Sequence, residues 1–103
     1  MEPTESEALD RVFRALGDET RRRIWLVLGD QPGASTSQVA AAFPSLSRWA
    51  VMKHLAVLRD ADLVQTLPQG RRRCHYRIDR SLDGLRDWLA GNDGDFRERG
   101  ANR

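Results

Sequence analysis

Apolar residues recur at helical spacing along residues 5–58 of this chain and then, over 73–78, at a spacing of two. That change of period demands helices packed on a small sheet, an α+β architecture. The stripe Ala8, Leu9, Val12, Phe13 and Leu16 marks a first helix over Glu5–Leu16, closed by Gly17. Asp18 caps a second helix that buries Ile24, Val27 and Leu28 and stops at Gly29. Asp30-Gln31-Pro32-Gly33 is turn chemistry. Ser35 or Thr36 caps a short third helix carrying Val39, Ala40 and Phe43, which Pro44 ends. After the tight turn Ser45-Leu46-Ser47, Ser47 caps a fourth helix from Arg48 to Asp60 with Val51, Leu55 and Leu58 on its buried side.

Leu63–Leu67 reads as a strand and Pro68-Gln69-Gly70-Arg71 as a turn. In the next segment Cys74, Tyr76 and Ile78 alternate with Arg73, His75 and Arg77, the pattern of a half-buried strand. Leu82, Leu85, Trp88 and Leu89 form a last amphipathic helix. The order α-α-α-α-β-β-α, a helix-turn-helix followed by a basic hairpin, is the winged helix-turn-helix arrangement. Residues 1–7 are expected to be a flexible N-terminus, 8–91 the folded domain and 92–103 a polar tail.

Charge is spread unevenly. Residues 1–47 carry a net −2, residues 48–80 +5 and residues 81–103 −1, so a polyanion is expected to dock on the middle segment. An acidic Met1–Glu7 and the absence of a long apolar run predict a cytoplasmic chain without leader or membrane span. The single cysteine, Cys74, excludes an internal disulfide. No glycine-rich phosphate loop follows a strand and no serine or cysteine lies in a nucleophile motif, so an enzyme is not expected.

Three stretches resemble a known family. Val12 to Ile24, with Ala15-Leu16-Gly17-Asp18-Glu19-Thr20-Arg21, resembles the opening of ArsR-type transcriptional repressors. Ser47 through Val64, with Lys53-His54-Leu55 and Val57-Leu58-Arg59, resembles their recognition segment. Gly70-Arg71-Arg72 and Tyr76-Arg77-Ile78-Asp79 resemble their wing. The resemblance implies a homodimeric repressor of double-stranded DNA at an inverted-repeat operator, dimerised through its first and last helices. The dimer residues it implies are Leu9, Val12, Phe13, Leu82, Leu85, Trp88 and Leu89, to be divided between partner and core.

Under the same resemblance the DNA-facing set is Thr36, Ser37, Ser47, Arg48, Trp49, Ala50, Met52, Lys53, His54, Gln69, Arg71 and Arg72. Arg48 either reads guanine O6/N7 or contacts phosphate. Trp49 either meets a thymine methyl or sugar, or packs on the neighbouring helix. Lys53, a mobile point charge, suits a phosphate clamp, and His54 suits a hydrogen-bonded site beside the backbone. Arg71 and Arg72 suit backbone or minor-groove contact at the wing tip, whereas strand alternation directs Arg73 elsewhere. The arginines at 21–23, balanced by Asp18 and Glu19, are expected to serve surface pairing and solubility.

Departures from the family pattern carry information too. Many relatives sense metals through a cysteine pair on the third helix, where this chain has Ser37-Gln38-Val39-Ala40-Ala41-Ala42; residues 82–90 hold no histidine either. The chain thus resembles the metal-independent subgroup, with no metal and no cofactor expected and the effector left open. Asp62 stands where relatives usually have glycine, and the wing looks a residue longer than theirs. Two alternatives stay open: a thiol- or metal-responsive regulator using Cys74 and His75, and a winged-helix protein-interaction module, against which the basic 48–80 segment argues.

Overall fold

The computed structural model describes residues 2–80 and 82–91. Helix α1 (Glu5–Leu16) starts on Thr4, whose hydroxyl accepts the Glu7 amide, so Glu5–Glu7 is the helix's first turn. The expected tail, 92–103, lies outside the described residues. Helix α2 (Glu19–Asp30) begins where Asp18 accepts the Arg21 amide at 3.0 Å. That bond to the orphan amide holds the Asp18 carboxyl below its ordinary pKa. The helix passes through Gly29 instead of stopping there. A Cβ at Gly29 would sit 2.6 Å from Nη1 of Arg77, so the glycine is kept for close approach, not for chain termination.

A two-residue strand, β1 (Ala34–Ser35), precedes α3 (Thr36–Ala41) and had no signature of its own. Ser35 is the cap: its hydroxyl accepts the Gln38 amide at 3.1 Å while Gln38 Oε1 accepts the Ser35 amide at 2.8 Å, a complete capping box. Helix α4 (Arg48–Asp60) starts on Ser47, whose hydroxyl accepts the Ala50 amide at 3.0 Å. It ends in a Schellman motif, with Leu63 N–H on Leu58 O and Asp62 N–H on Arg59 O, both 2.9 Å. The left-handed position of that motif is Asp62, with φ 59°. A short carboxylate tolerates this region better than most side chains, so the missing glycine leaves the cap intact.

Strands β2 (Val64–Gln69) and β3 (Arg72–Arg77) form the wing hairpin, and the antiparallel order β1-β3-β2 makes β3 the central strand. The turn is only two residues, with Gly70 at φ 64° in its first position. Pro68 lies within β2, where an edge strand tolerates its missing N–H. Residues opposite each other share a face, so Val64, Thr66, His75 and Arg77 form one face, and Leu67, Gln69, Cys74 and Tyr76 the other. The period-two expectation for β3 holds, but its burial does not follow the apolar set. His75 is 1% exposed and Arg77 is half-buried, its guanidinium 3.5 Å over the Trp25 ring. Strand β3 is covered on both faces at Cys74 and His75, with α2 and α3 packed against it, which alternation alone does not reveal.

Val12, Ala15, Ile24, Leu28, Val39, Val51, Leu55, Leu58 and Leu63 form the core between the helices and this sheet. Val12 therefore belongs to the monomer's interior, which corrects its expected place at a dimer interface. Helix α5 (Leu82–Leu89) packs on α1, with the rings of Phe13 and Trp88 edge to face at 5.5 Å. Leu9, Leu82 and Leu85 are half-buried there, while Phe13, Trp88 and Leu89 stay exposed.

Candidate nucleic-acid interface

An α-helix turns about 100° per residue, so burying Val51, Leu55 and Leu58 on one side of α4 fixes where every other side chain points. Trp49, Met52 and Lys53 fall opposite that stripe, and Trp49 is 67% and Met52 50% exposed. Lys53 Nζ lies 4.4 Å from the Trp49 ring centroid, one turn along, so the indole face is covered by a cation instead of a neighbouring helix.

The two flanks of this face are braced. Arg48 leans toward α3, its Nη1 donating to Ser37 Oγ at 2.7 Å. That bond restrains the guanidinium yet leaves most of its five donors directed outward. His54, half-buried, leans toward α2, with Nδ1 3.4 Å from Arg21 Nη1. Ala50 is half-buried and Ser47 exposed as the cap.

Arg21 does more than the local charge pattern suggested. Its Nε donates to Ala15 O at 2.8 Å and its Nη2 to Arg14 O at 3.1 Å, while Arg22 Nη1 reaches Leu16 O at 2.6 Å. These are the last carbonyls of α1, which have no intrahelical partner. Only Arg23 makes the expected surface pair, with Glu19 at 3.5 Å. Capping a preceding helix depends on its direction of approach, and sequence spacing carries no signal for that.

Thr36 is not available at the surface. It is buried, and its hydroxyl lies 2.8 Å from His75 Nε2. The first turn of α3 thus presents Ser37 alone of the expected pair, correcting the place given to Thr36. On the other ring edge, His75 Nδ1 lies 2.8 Å from Thr66 Oγ1. Burial, then the positive charges of Arg59 and Arg73, push the His75 pKa down to about 4, so the ring is neutral near pH 7. Gln69 is also engaged, its Nε2 donating to Tyr76 Oη at 3.1 Å and its Oε1 accepting from Cys74 Sγ at 3.2 Å. Among the described residues the side chains of Arg71 and Arg72 have no hydrogen bond or ion pair and stand exposed at the tip of the hairpin. A braced helix and a cationic hairpin tip on one small domain suit a groove and the phosphates beside it.

Similarity to known proteins agrees with this geometry. The sequence pattern of a helix-turn-helix domain family matches residues 16–66, from the end of α1 to the first residues of β2. The chain is 42% identical over 77 residues to the HTH-type transcriptional regulator Rv2034 of Mycobacterium tuberculosis, covering 75% of this chain and 70% of that protein. The ArsR-like transcriptional regulator from Rhodococcus sp. RHA1 shares 33% identity and superposes with a TM-score of 0.77 over 92% of this chain and 88% of its own. The chain belongs to the ArsR family. A further solved ArsR family transcriptional regulator, RHA00566, superposes at TM-score 0.79 with 29% identity over 100% of this chain and 99% of its own. This ArsR-family chain is therefore a DNA-binding transcriptional regulator with a winged helix-turn-helix fold, and not an enzyme. Among the described residues no helix is long and apolar enough to cross a membrane.

Proposed function

We propose that this ArsR-family chain is a cytoplasmic homodimeric repressor that binds an inverted-repeat operator, including one before its own gene, without a metal or other cofactor. The observation that carries it is the outward face of α4, where Arg48, Trp49, Met52 and Lys53 project from a helix capped at Ser47 and held to the core by Val51, Leu55 and Leu58. The major groove admits one such helix, and its first turn meets base edges. Arg48 reads guanine, Trp49 and Met52 offer apolar surface to thymine methyls, and Lys53 neutralises phosphate. Arg71 and Arg72 follow the adjacent backbone or minor groove.

The half-covered apolar face of α1 and α5 supports pairing. Helix α5 is amphipathic yet buries no residue within one chain, and Phe13, Trp88 and Leu89 extend that face outward. Two-fold pairing would cover it and present two copies of α4 to the same side of a duplex. Among the described residues no group of three or more His, Cys, Asp or Glu side chains could hold a metal ion. Cys74 and His75 are engaged separately, by Gln69 and by the two threonines, which supports a reading without thiol or metal sensing.

Selection of duplexes from a random pool by the purified chain, with sedimentation of the product, tests the proposal. Two inverted half-sites about one or two helical turns apart and two chains per duplex are expected. Enrichment of a single half-site bound by one chain, or no enrichment, would overturn it.

A further inference from the structure

Among the described residues His75 is the most enclosed polar one, and no part of the proposed DNA contact uses it. It sits on the central strand β3, opposite Thr66 of β2 and beside Ala34 of β1, and its carbonyl accepts the Gly33 amide at 2.9 Å. Its two ring nitrogens reach elements of different origin. Nδ1 meets Thr66 on the wing, and Nε2 meets Thr36 at the first turn of α3, each at 2.8 Å. Thr66 Oγ1 in turn accepts from Nη1 of Arg59, in the last turn of α4, at 3.5 Å.

The donors in this chain can be ordered. A hydroxyl oxygen that accepts from Arg59 has its own O–H left to donate to Nδ1 of His75. A neutral imidazole has one acceptor and one donor, so Nε2 then carries the proton and donates to Thr36. Every group is satisfied in one direction, from α4 through the wing to α3, and among the described residues no buried side-chain polar atom lacks a partner. The three elements that would touch DNA are thereby joined through one ring. Beyond the short β1 pairing at His75 and Cys74, the outer part of the wing continues as a two-stranded ribbon, which is weakly held in isolation.

We infer that His75 is a positioning residue for DNA recognition: through Thr66 and Thr36 it locks the wing in register with the helix-turn-helix, so that Arg71 and Arg72 engage the same duplex as Arg48. The inference builds on the DNA-binding reading above and deepens it. Its signature is coupling. When the lock is broken, the wing arginines lose their contribution to binding while the recognition helix keeps its own.

A double-mutant cycle on the full chain, read by fluorescence anisotropy with a duplex selected from a random pool, measures this. In the wild-type background Arg71→Ala with Arg72→Ala is expected to weaken binding roughly tenfold, as expected for lost phosphate contacts. In a His75→Phe background the same pair should change affinity by less than about twofold, with Arg48→Ala keeping its full factor. Thr66→Val, which deletes the hydroxyl at nearly constant volume, should reproduce the effect if His75→Phe fails to fold, and Thr66→Ser should restore the wing's contribution. An undiminished tenfold loss in the Thr66→Val background would overturn the inference. So would equal shrinkage of the wing and Arg48 contributions, which reports a general loss of the bound geometry and no selective positioning of the wing. If the wild-type chain selects no duplex at all, the DNA-binding reading falls first, and this inference with it.

Discussion

The recognition helix and the wing tip present positive charge in opposite ways. On α4, Arg48 is tied to Ser37, Lys53 lies over Trp49 and His54 meets Arg21, so each polar side chain is held before any ligand arrives. On the wing, Arg71 and Arg72 extend from a two-residue turn with nothing holding them among the described residues. Held groups lose little freedom on binding and suit a fixed pattern of base edges; loose cations suit phosphates, whose positions hardly vary with sequence. The difference suggests a division of labour in which α4 supplies specificity and the wing supplies affinity. His75 is the joint between them.

The largest expected effect concerns that joint. Its pKa is lowered, so between pH 6.5 and about 4 the unfolded chain takes up a proton that the folded chain refuses. Stability should therefore fall as pH drops through that window, by about 3 kcal/mol at most, and level off below it. Urea unfolding at pH 7 and 4.5 should show a larger loss for the wild-type chain than for His75→Gln. Equal losses would mean that the joint is not the acid-labile point.

Next comes the helix. Arg48→Ala should cost about 1–3 kcal/mol on a selected duplex and far less on random sequence, measured by competition anisotropy. If both duplexes lose equally, Arg48 is a phosphate contact and the contrast with the wing disappears. For the wing, replacing Arg71 and Arg72 with alanine should weaken selected and random duplexes alike. It should also flatten the plot of log K against log salt by about 0.9 per arginine that had met a phosphate. A sequence-dependent loss would make the wing a reader as well.

The smallest effect falls at the end of α4. Asp62→Gly relieves a left-handed φ but frees the unfolded backbone and removes the carboxylate 3.4 Å from Arg80. These oppose each other, so stability should change by no more than a few tenths of a kcal/mol, about 2 °C in thermal unfolding, with DNA affinity unchanged.

Helix boundaries were legible wherever a cap wrote them. Ser47 placed α4 to the residue and Asp18 placed the start of α2, whereas α3, expected to run to Pro44, ends at Ala41. What stayed hidden depends on approach from elsewhere in the chain. Strand β1 is too short for any period, and α2 and α3 pack against β3, which is why His75 and Arg77 are covered although they occupy the polar phase. The role of Arg21 in capping α1 and the burial of Thr36 share that origin. Val12 lies on an amphipathic stripe wide enough to face both the core and the α5 side, and only packing divides the stripe.

The most direct test of the account is the salt dependence of binding by the wild-type chain. If two copies each engage phosphate through Lys53, Arg71 and Arg72, log K should fall against log salt with a slope of about −5, the product of six contacts and about 0.9 released counterions each. A slope near zero, at any affinity, would contradict it.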